Sequence, residues 1–298
     1  MKSLILSLTF SLICTIAAQA QESGVYNHYL INKTLINPAA TGFGESQRVF
    51  INYKNSYAGF TGTPSLLTLG YDGAVSNHLG LGAQVAVENN GAYQRVKGQL
   101  GYSYRFNVQD FKMGFGLTTE FHSTKIKGDV ITDNFTDIND AIIVAGSDGV
   151  QYFDAAFGFY GEYRDQLFIG LSTPNAVRAR ISEAAPVEDN ESNFFKHYNM
   201  QLGYRFKMAD KKMVIEPSLL IRKDRNAPFR ADINLKGGFL DDQLIGALTY
   251  HVGAGNGFGL LLGTRIGHFS VFYGYDMSFT DFQNYNNGSH EFTLEYKF

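Results

Sequence analysis

Strict two-residue alternation most narrows what this chain can fold into, and it is cleanest in the last residues. Phe292, Leu294, Tyr296 and Phe298 alternate with Glu291, Thr293, Glu295 and Lys297. Successive side chains of a β-strand point to opposite faces, so one face of this segment is apolar and the other polar or charged. Such a strand suits a barrel wall that is greasy towards lipid and polar towards its lumen. The four apolar residues are therefore read as the closing strand through which the barrel assembles.

The same pattern recurs along the chain. Tyr198, Met200, Leu202, Tyr204 and Phe206 oppose Asn199, Gln201, Gly203, Arg205 and Lys207. Leu100, Tyr102, Tyr104 and Phe106 oppose Gln99, Gly101, Ser103 and Arg105. Fourteen strands are expected, centred near Phe50, Leu69, Gln84, Gly101, Leu117, Phe159, Ile169, Leu202, Leu219, Ile233, Ala247, Leu262, Tyr273 and Leu294. An even count fits a bacterial outer-membrane barrel with both termini in the periplasm. Short turns are predicted near Ser76-Asn77, Val108-Gln109, Asp165, Asp210-Lys211, Asp241-Asp242 and Gly267. The long connections, Ile126–Gln151, Pro174–Phe195 and Thr280–Gly288, all fall on the opposite end. A soluble β-sandwich also alternates, but its outward face is polar. Here one face is Leu, Phe, Tyr and Val, and the other Arg, Glu, Gln and Gly, which favours a transmembrane antiparallel barrel in the all-β class.

The N-terminus points to the same compartment. Lys2, the apolar run Leu4–Ile16 and Ala18-Gln19-Ala20 read as a secretory signal peptide, cleaved to leave Gln21 first. Cys14, the one cysteine, lies inside that leader, so no disulfide or thiol chemistry is expected of the remainder. Beyond the leader no segment offers the ~20 apolar residues a membrane helix needs. The chain holds 32 Gly, 25 Phe and 18 Tyr but no Trp, so an aromatic belt must be built from Tyr and Phe. The net charge of −3 and the lack of any basic run argue against a nucleic-acid partner. The chain thus divides into 1–20, a cleaved leader; 21–47, a short non-strand segment with Pro38; and 48–298, the barrel. Segment 21–47 is expected to plug the lumen or lie at its periplasmic mouth.

The inward face carries both signs of charge: Arg105, Glu120, Arg205, Glu216, Arg222, Arg230, Asp232, Lys236, Arg265, Asp276, Glu291 and Glu295. Opposite charges can pair across a lumen and close it. Chemistry-bearing motifs are weak by comparison. Gly253, Gly255, Gly257 and Gly259 have the spacing of a phosphate loop, but no helix follows, so a hairpin turn is expected. Asp133, Asp137, Asn139 and Asp140 carry oxygen ligands without the regular EF-hand spacing, so a solvated acidic loop is expected. His122-Ser123 and Ser289-His290 are sequence neighbours, whose side chains point to opposite faces of a strand. No catalytic set, cofactor or metal is therefore expected. On the long loops, Phe135 and Phe194-Phe195-Lys196 offer apolar surface for a protein partner.

Tyr26-Asn27-His28-Tyr29, followed by Ile36, Asn37, Pro38, Ala39 and Gly42, resembles the opening segment of the PorP/SprF family of the Bacteroidota type IX secretion system. Arg48, Tyr57-Ala58-Gly59-Phe60, Thr63-Pro64, Gly170-Leu171-Ser172-Thr173-Pro174 and the closing strand extend the resemblance over essentially the whole chain after the leader. Tyr53 or Tyr57 stands where the family often has Trp. The resemblance implies an outer-membrane barrel without catalytic residues. Its implied role is the secretion or surface anchoring of particular cargo proteins, including a gliding adhesin, with links to the periplasmic machinery. Implied partners are cargo or its C-terminal domain, other type IX components and outer-membrane lipid. The competing reading is a barrel that takes up small hydrophobic molecules, since fatty-acid transport barrels also have fourteen strands and an N-terminal plug.

Overall fold

The structure is a computed structural model that describes residues 26–44, 46–128, 149–181, 197–224, 229–253 and 256–298. Fourteen antiparallel strands follow one another along the chain. The first seven are β1 (Arg48–Asn55), β2 (Ser65–Ala74), β3 (Leu79–Asn90), β4 (Tyr93–Val108), β5 (Phe111–Ile126), β6 (Val150–Tyr163) and β7 (Leu167–Thr173). β8 is Tyr198–Tyr204, continued in the same register by Phe206–Met208. The last six are β9 (Met213–Lys223), β10 (Arg230–Phe239), β11 (Leu244–Gly253), β12 (Gly257–Ile266), β13 (Phe269–Ser278) and β14 (Ser289–Lys297). Each strand pairs with its chain neighbours, and β14 pairs with β1, so the sheet closes and leaves no edge. All fourteen expected centres fall on these strands.

The side chains invert the arrangement of a soluble protein. Leu69 is 60% exposed beside Thr68 at 0%, and Ile233 is 54% exposed beside Asp232 at 0%. An outward face of Leu, Val, Phe and Tyr needs hydrocarbon around it, because only lipid leaves such a surface without a penalty. That excludes the sandwich. Phe292, Leu294, Tyr296 and Phe298 are all exposed on this face, and Glu291, Thr293 and Glu295 are buried inside.

The predicted short turns join β2–β3, β4–β5, β6–β7, β8–β9, β10–β11 and β12–β13, all at one end. Tight hairpins that follow the twist of their strands need left-handed residues. Gly267 supplies one at φ 59°, while Arg164 and Asp165 adopt φ 50° and 54° without being glycine. Tyr and Phe ring this end without Trp: Phe111 meets Tyr163 at 4.6 Å and Phe269 meets Tyr296 at 4.9 Å between ring centroids. The long connections leave from the other end. A two-residue bridge, Ala179–Arg180, pairs back onto β6 there. Buried Asp154 holds it by accepting from the amides of Val177 and Arg178 at 3.2 and 3.0 Å.

Candidate functional site

The lumen is occupied by the chain's own N-terminal segment. Residues 26–44 form three 3-10 turns inside the barrel, His28–Leu30, Lys33–Leu35 and Pro38–Ala40. The sequence dictates this local form. Asn32 and Asn37 stand just before the second and third turns, and their side-chain oxygens accept from Thr34 N (3.2 Å) and Ala39 N (2.9 Å). Pro38 opens the third turn, where its missing N–H leaves no bond unmade. Counting bonds and packed clusters together, the segment engages inward residues of all fourteen strands.

The C-terminal half of the segment, residues 36–44, is fixed by backbone contacts and missing side chains. Asn37 Nδ2 donates to Phe159 O at 2.9 Å and Leu171 O at 3.3 Å, and Ile36 O accepts from Ser172 Oγ at 2.7 Å. Beneath them Gly116 and Gly158 sit directly opposite each other on β5 and β6. A Cβ on Gly116 would lie 2.2 Å from Ala39 N, and one on Gly158 would lie 2.1 Å from Asn37 Oδ1. These glycines are a cradle: the wall has no side chain there because the segment takes the space. Near the short turns Ser103 Oγ donates to Thr41 O at 2.6 Å, the Arg105 guanidinium donates to Gly42 O, and Gly42 N donates to Asp72 at 2.8 Å. Gly42 adopts φ 70°, a left-handed turn that favours glycine. The motif Ile36, Asn37, Pro38, Ala39 and Gly42 thus packs as one unit. Asn37→Ala removes two donated bonds and the turn's cap. It is expected to destabilise the barrel by about 1–2 kcal/mol, read as a lower temperature for loss of the compact, heat-modifiable band in gels.

The N-terminal half of the segment, residues 26–33, is held by charge. Asn27 N donates to Glu291 at 2.8 Å, its side chain bonds Asp276, and His28 Nδ1 lies 2.6 Å from Thr293 Oγ1. Lys33 Nζ donates to Tyr160 OH at 2.7 Å and sits 3.4 Å from the centre of the Phe168 ring. Arg205 bridges Glu162 and Glu216 at 2.8 Å each. Glu216 pairs with Lys236 at 2.9 Å, and Lys236 donates to Leu30 O at 3.0 Å. The wall's ion pairs therefore run into the segment's backbone. Burial pushes the Lys33 ammonium well below the ordinary lysine range, opposed by Glu216. Burial also lowers His28, opposed by Glu291.

One sequence expectation about the lumen needs correction. The inward face is not only polar: Leu220, Ile245, Leu261 and Phe272 point in and form a buried cluster with Tyr29 and Leu30. They pack the inner segment, which supplies an apolar surface an open lumen lacks. The signal was present, because Leu219-Leu220-Ile221, Leu260-Leu261-Leu262 and Val271-Phe272-Tyr273 are unbroken apolar triplets where alternation calls for a polar residue. The twelve charged residues expected inside all lie on inward positions of their strands.

The remaining candidates separate. His122 faces inward and bonds Glu120 at 3.1 Å, while Ser123 lies on the opposite face. Ser289 is buried inside, whereas His290 faces out and meets Tyr273 OH at 2.8 Å. Neither pair forms a couple. Gly253 ends β11, and Gly257 and Gly259 lie in β12, so the glycine run is a hairpin; Gly255 lies outside the described residues. Phe135, Phe194, Phe195 and Lys196 also lie outside them, as do Asp133, Asp137, Asn139 and Asp140. Among the described residues no group of acidic and histidine side chains has metal-site geometry. Sequence reading passed over one loop feature. The β1–β2 and β13–β14 connections are bonded to each other, Ala58 N to Gly288 O at 2.8 Å and Asn287 N to Ala58 O at 2.7 Å. Exposed Phe282 packs between Tyr57 and Phe60, at 5.4 and 5.8 Å.

A family model, the type IX secretion system membrane protein PorP/SprF, matches residues 18–296. The chain belongs to the PorP/SprF family. It is thus a type IX secretion membrane protein built as a β-barrel of outer-membrane type. Among curated proteins no sequence matches it. Solved barrels share its fold at low identity. The Ralstonia pickettii toluene transporter TbuX has a TM-score of 0.54 at 8% identity, covering 88% of this chain and 91% of that one. The CymD monoaromatic hydrocarbon channel gives 0.53 at 10%, covering 95% of each. A TodX monoaromatic hydrocarbon channel mutant gives 0.50 at 9%, covering 91% and 92%. At such identities the likeness concerns the fold alone. In this PorP/SprF barrel the lumen holds residues 26–44.

Proposed function

We propose that this PorP/SprF barrel is a non-enzymatic accessory that supports secretion or surface anchoring of specific type IX cargo, of the adhesin class, and serves as a platform rather than a conduit. The observation that carries the reading is the occupied lumen, engaged from all fourteen strands. A cargo chain could pass only where this segment had left its seat. The short-turn end faces the periplasm, with the end of β14 beside the Gln47 link, and there meets other parts of the machine. The loop end faces outward and carries recognition, as loops on a rigid scaffold commonly do. Its contact points are Phe135, Phe194, Phe195 and Lys196, together with the Tyr57, Phe60 and Phe282 ledge.

The test is purification of the tagged protein from outer membrane in mild detergent, with mass spectrometry of what accompanies it. A large secreted protein or type IX components, reduced when 183–195 is shortened in a barrel that still folds, is the expected result. A lone barrel, reproducibly free of partners, would overturn it. Uptake of small hydrophobic molecules, the other reading, then gains ground, although a lumen lined by paired charges is a poor path for them.

A further inference from the structure

The outward wall is rich in Leu, Tyr and Phe, and a stretch of it across β1 to β6 is concave. Ala83 and Gly98 form its floor, and Tyr71, Leu100, Phe121 and Phe153 rise around it. Leu69 pairs with Val85, Val85 with Gly98, Gly98 with Phe121 and Phe121 with Phe153, so the groove follows one line of cross-strand neighbours. Its volume is about 610 Å³, within the range of ligand sites.

Gly98 is the informative residue. Gly116 and Gly158 are glycine because the inner segment would strike a Cβ, but a Cβ on Gly98 would meet nothing within 4 Å, and its backbone is not left-handed. Nothing within the fold calls for glycine there. Glycine inside a strand is unfavourable by about 0.5–1 kcal/mol relative to alanine, and it often marks close approach of a ligand. The vacant space lies on the outward side, between the exposed side chains of Val96 and Leu100. The nearby charges, Lys97 and Glu120, belong to the lumen face and pair with each other at 3.8 Å. Glu120 is the one charged residue of the groove's lining, and its carboxylate turns to Lys97 in the lumen, so the outward surface is apolar and continuous with the belt that meets bilayer hydrocarbon. The line from Leu69 to Phe153 crosses four strand spacings of about 4.8 Å, so it is about 19 Å long, elongated like an extended chain rather than compact like a ring. We propose that it seats one acyl chain of a membrane phospholipid in a fixed position, distinct from the exchanging lipid around the rest of the belt.

The absence of tryptophan allows a clean test, because a single reporter can be placed at will. Phe121→Trp reports from the groove, and Leu262→Trp reports from the exposed face of β12. Each goes into phosphatidylcholine vesicles, which add no other tryptophan, containing rising fractions of phosphatidylethanolamine with brominated acyl chains. The groove reporter is expected to reach half-quenching at a mole fraction about tenfold lower and to saturate, while Leu262→Trp follows the bulk fraction. Adding Gly98→Leu, or Ala83→Leu as a second variant, should bring the groove reporter onto the bulk curve, with heat-modifiability confirming that each barrel is folded. Identical curves at the two positions would overturn the proposal and leave the groove to a neighbouring protein's wall. A groove advantage that survives both filled variants would overturn it as well.

Discussion

Gly116→Leu is expected to drive the N-terminal segment out of its seat. The new Cβ would lie 2.2 Å from Ala39 N and 2.3 Å from Pro38 C, so backbone rather than a flexible side chain must yield. Gly158, directly opposite, gives no room, because Asn37 Oδ1 occupies it. Overpacking of this kind costs about 1–3 kcal/mol and sometimes more, enough to expose the segment about fivefold to a hundredfold more often. The readout is labelling of Thr34→Cys, in a Cys14→Ser background, by a membrane-impermeable maleimide. Thr34 is half-buried in the lumen, and slow labelling should become fast in Gly116→Leu. Gly98→Leu is the control, since its Cβ meets no atom, and it should leave the rate unchanged. Equal rates in all three would show that the segment is not held by the glycine cradle.

Leu100→Arg is the second large effect. Leu100 is 51% exposed midway along β4, so a guanidinium there faces hydrocarbon. A midplane Arg on the lipid face of a barrel costs about 2–4 kcal/mol. The neighbouring substitution Gln99→Arg places the same charge one residue away but inward, where Glu120 stands directly opposite. Leu100→Arg should lose most of its heat-modifiable band at a denaturant concentration that leaves Gln99→Arg folded. Equal loss, or the reverse order, would contradict the assignment of the two faces.

The two substitutions differ in how far a reader of the sequence alone would foresee them. Leu100 and Gln99 are assigned to opposite faces by alternation alone, and so are Phe292 to Phe298 against Glu291 to Lys297. Strand pairing between chain neighbours also follows, because short turns at Asp165, Asp241-Asp242 and Gly267 leave each strand no other partner nearby. Gly116 and Gly98 are different. Both are glycines within alternating strands, and nothing in their sequence neighbourhoods distinguishes a cradle from a groove floor. The same holds for Lys33, which reads as an ordinary solvated lysine and sits instead against Phe168 and Tyr160. The roles of Gly116 and Lys33 depend on contacts with residues more than 70 positions away, and that of Gly98 on cross-strand neighbours such as Val85 and Phe121; local pattern carries no information about either.

Taken by itself, the sequence determined the class, the strand count, the outward and inward faces and the non-strand character of the segment around Pro38. Each is a local or period-two property, set by how a strand alternates and where proline and turn residues interrupt it. Only the tertiary structure decided where that segment goes, which glycines make room for it, and that Leu220, Ile245, Leu261 and Phe272 face inward against their strands' pattern. The physical reason is closure: once fourteen strands form a ring, one enclosed volume must be filled and its charges paired. The chain fills it with residues that are distant in sequence and adjacent only in the closed barrel.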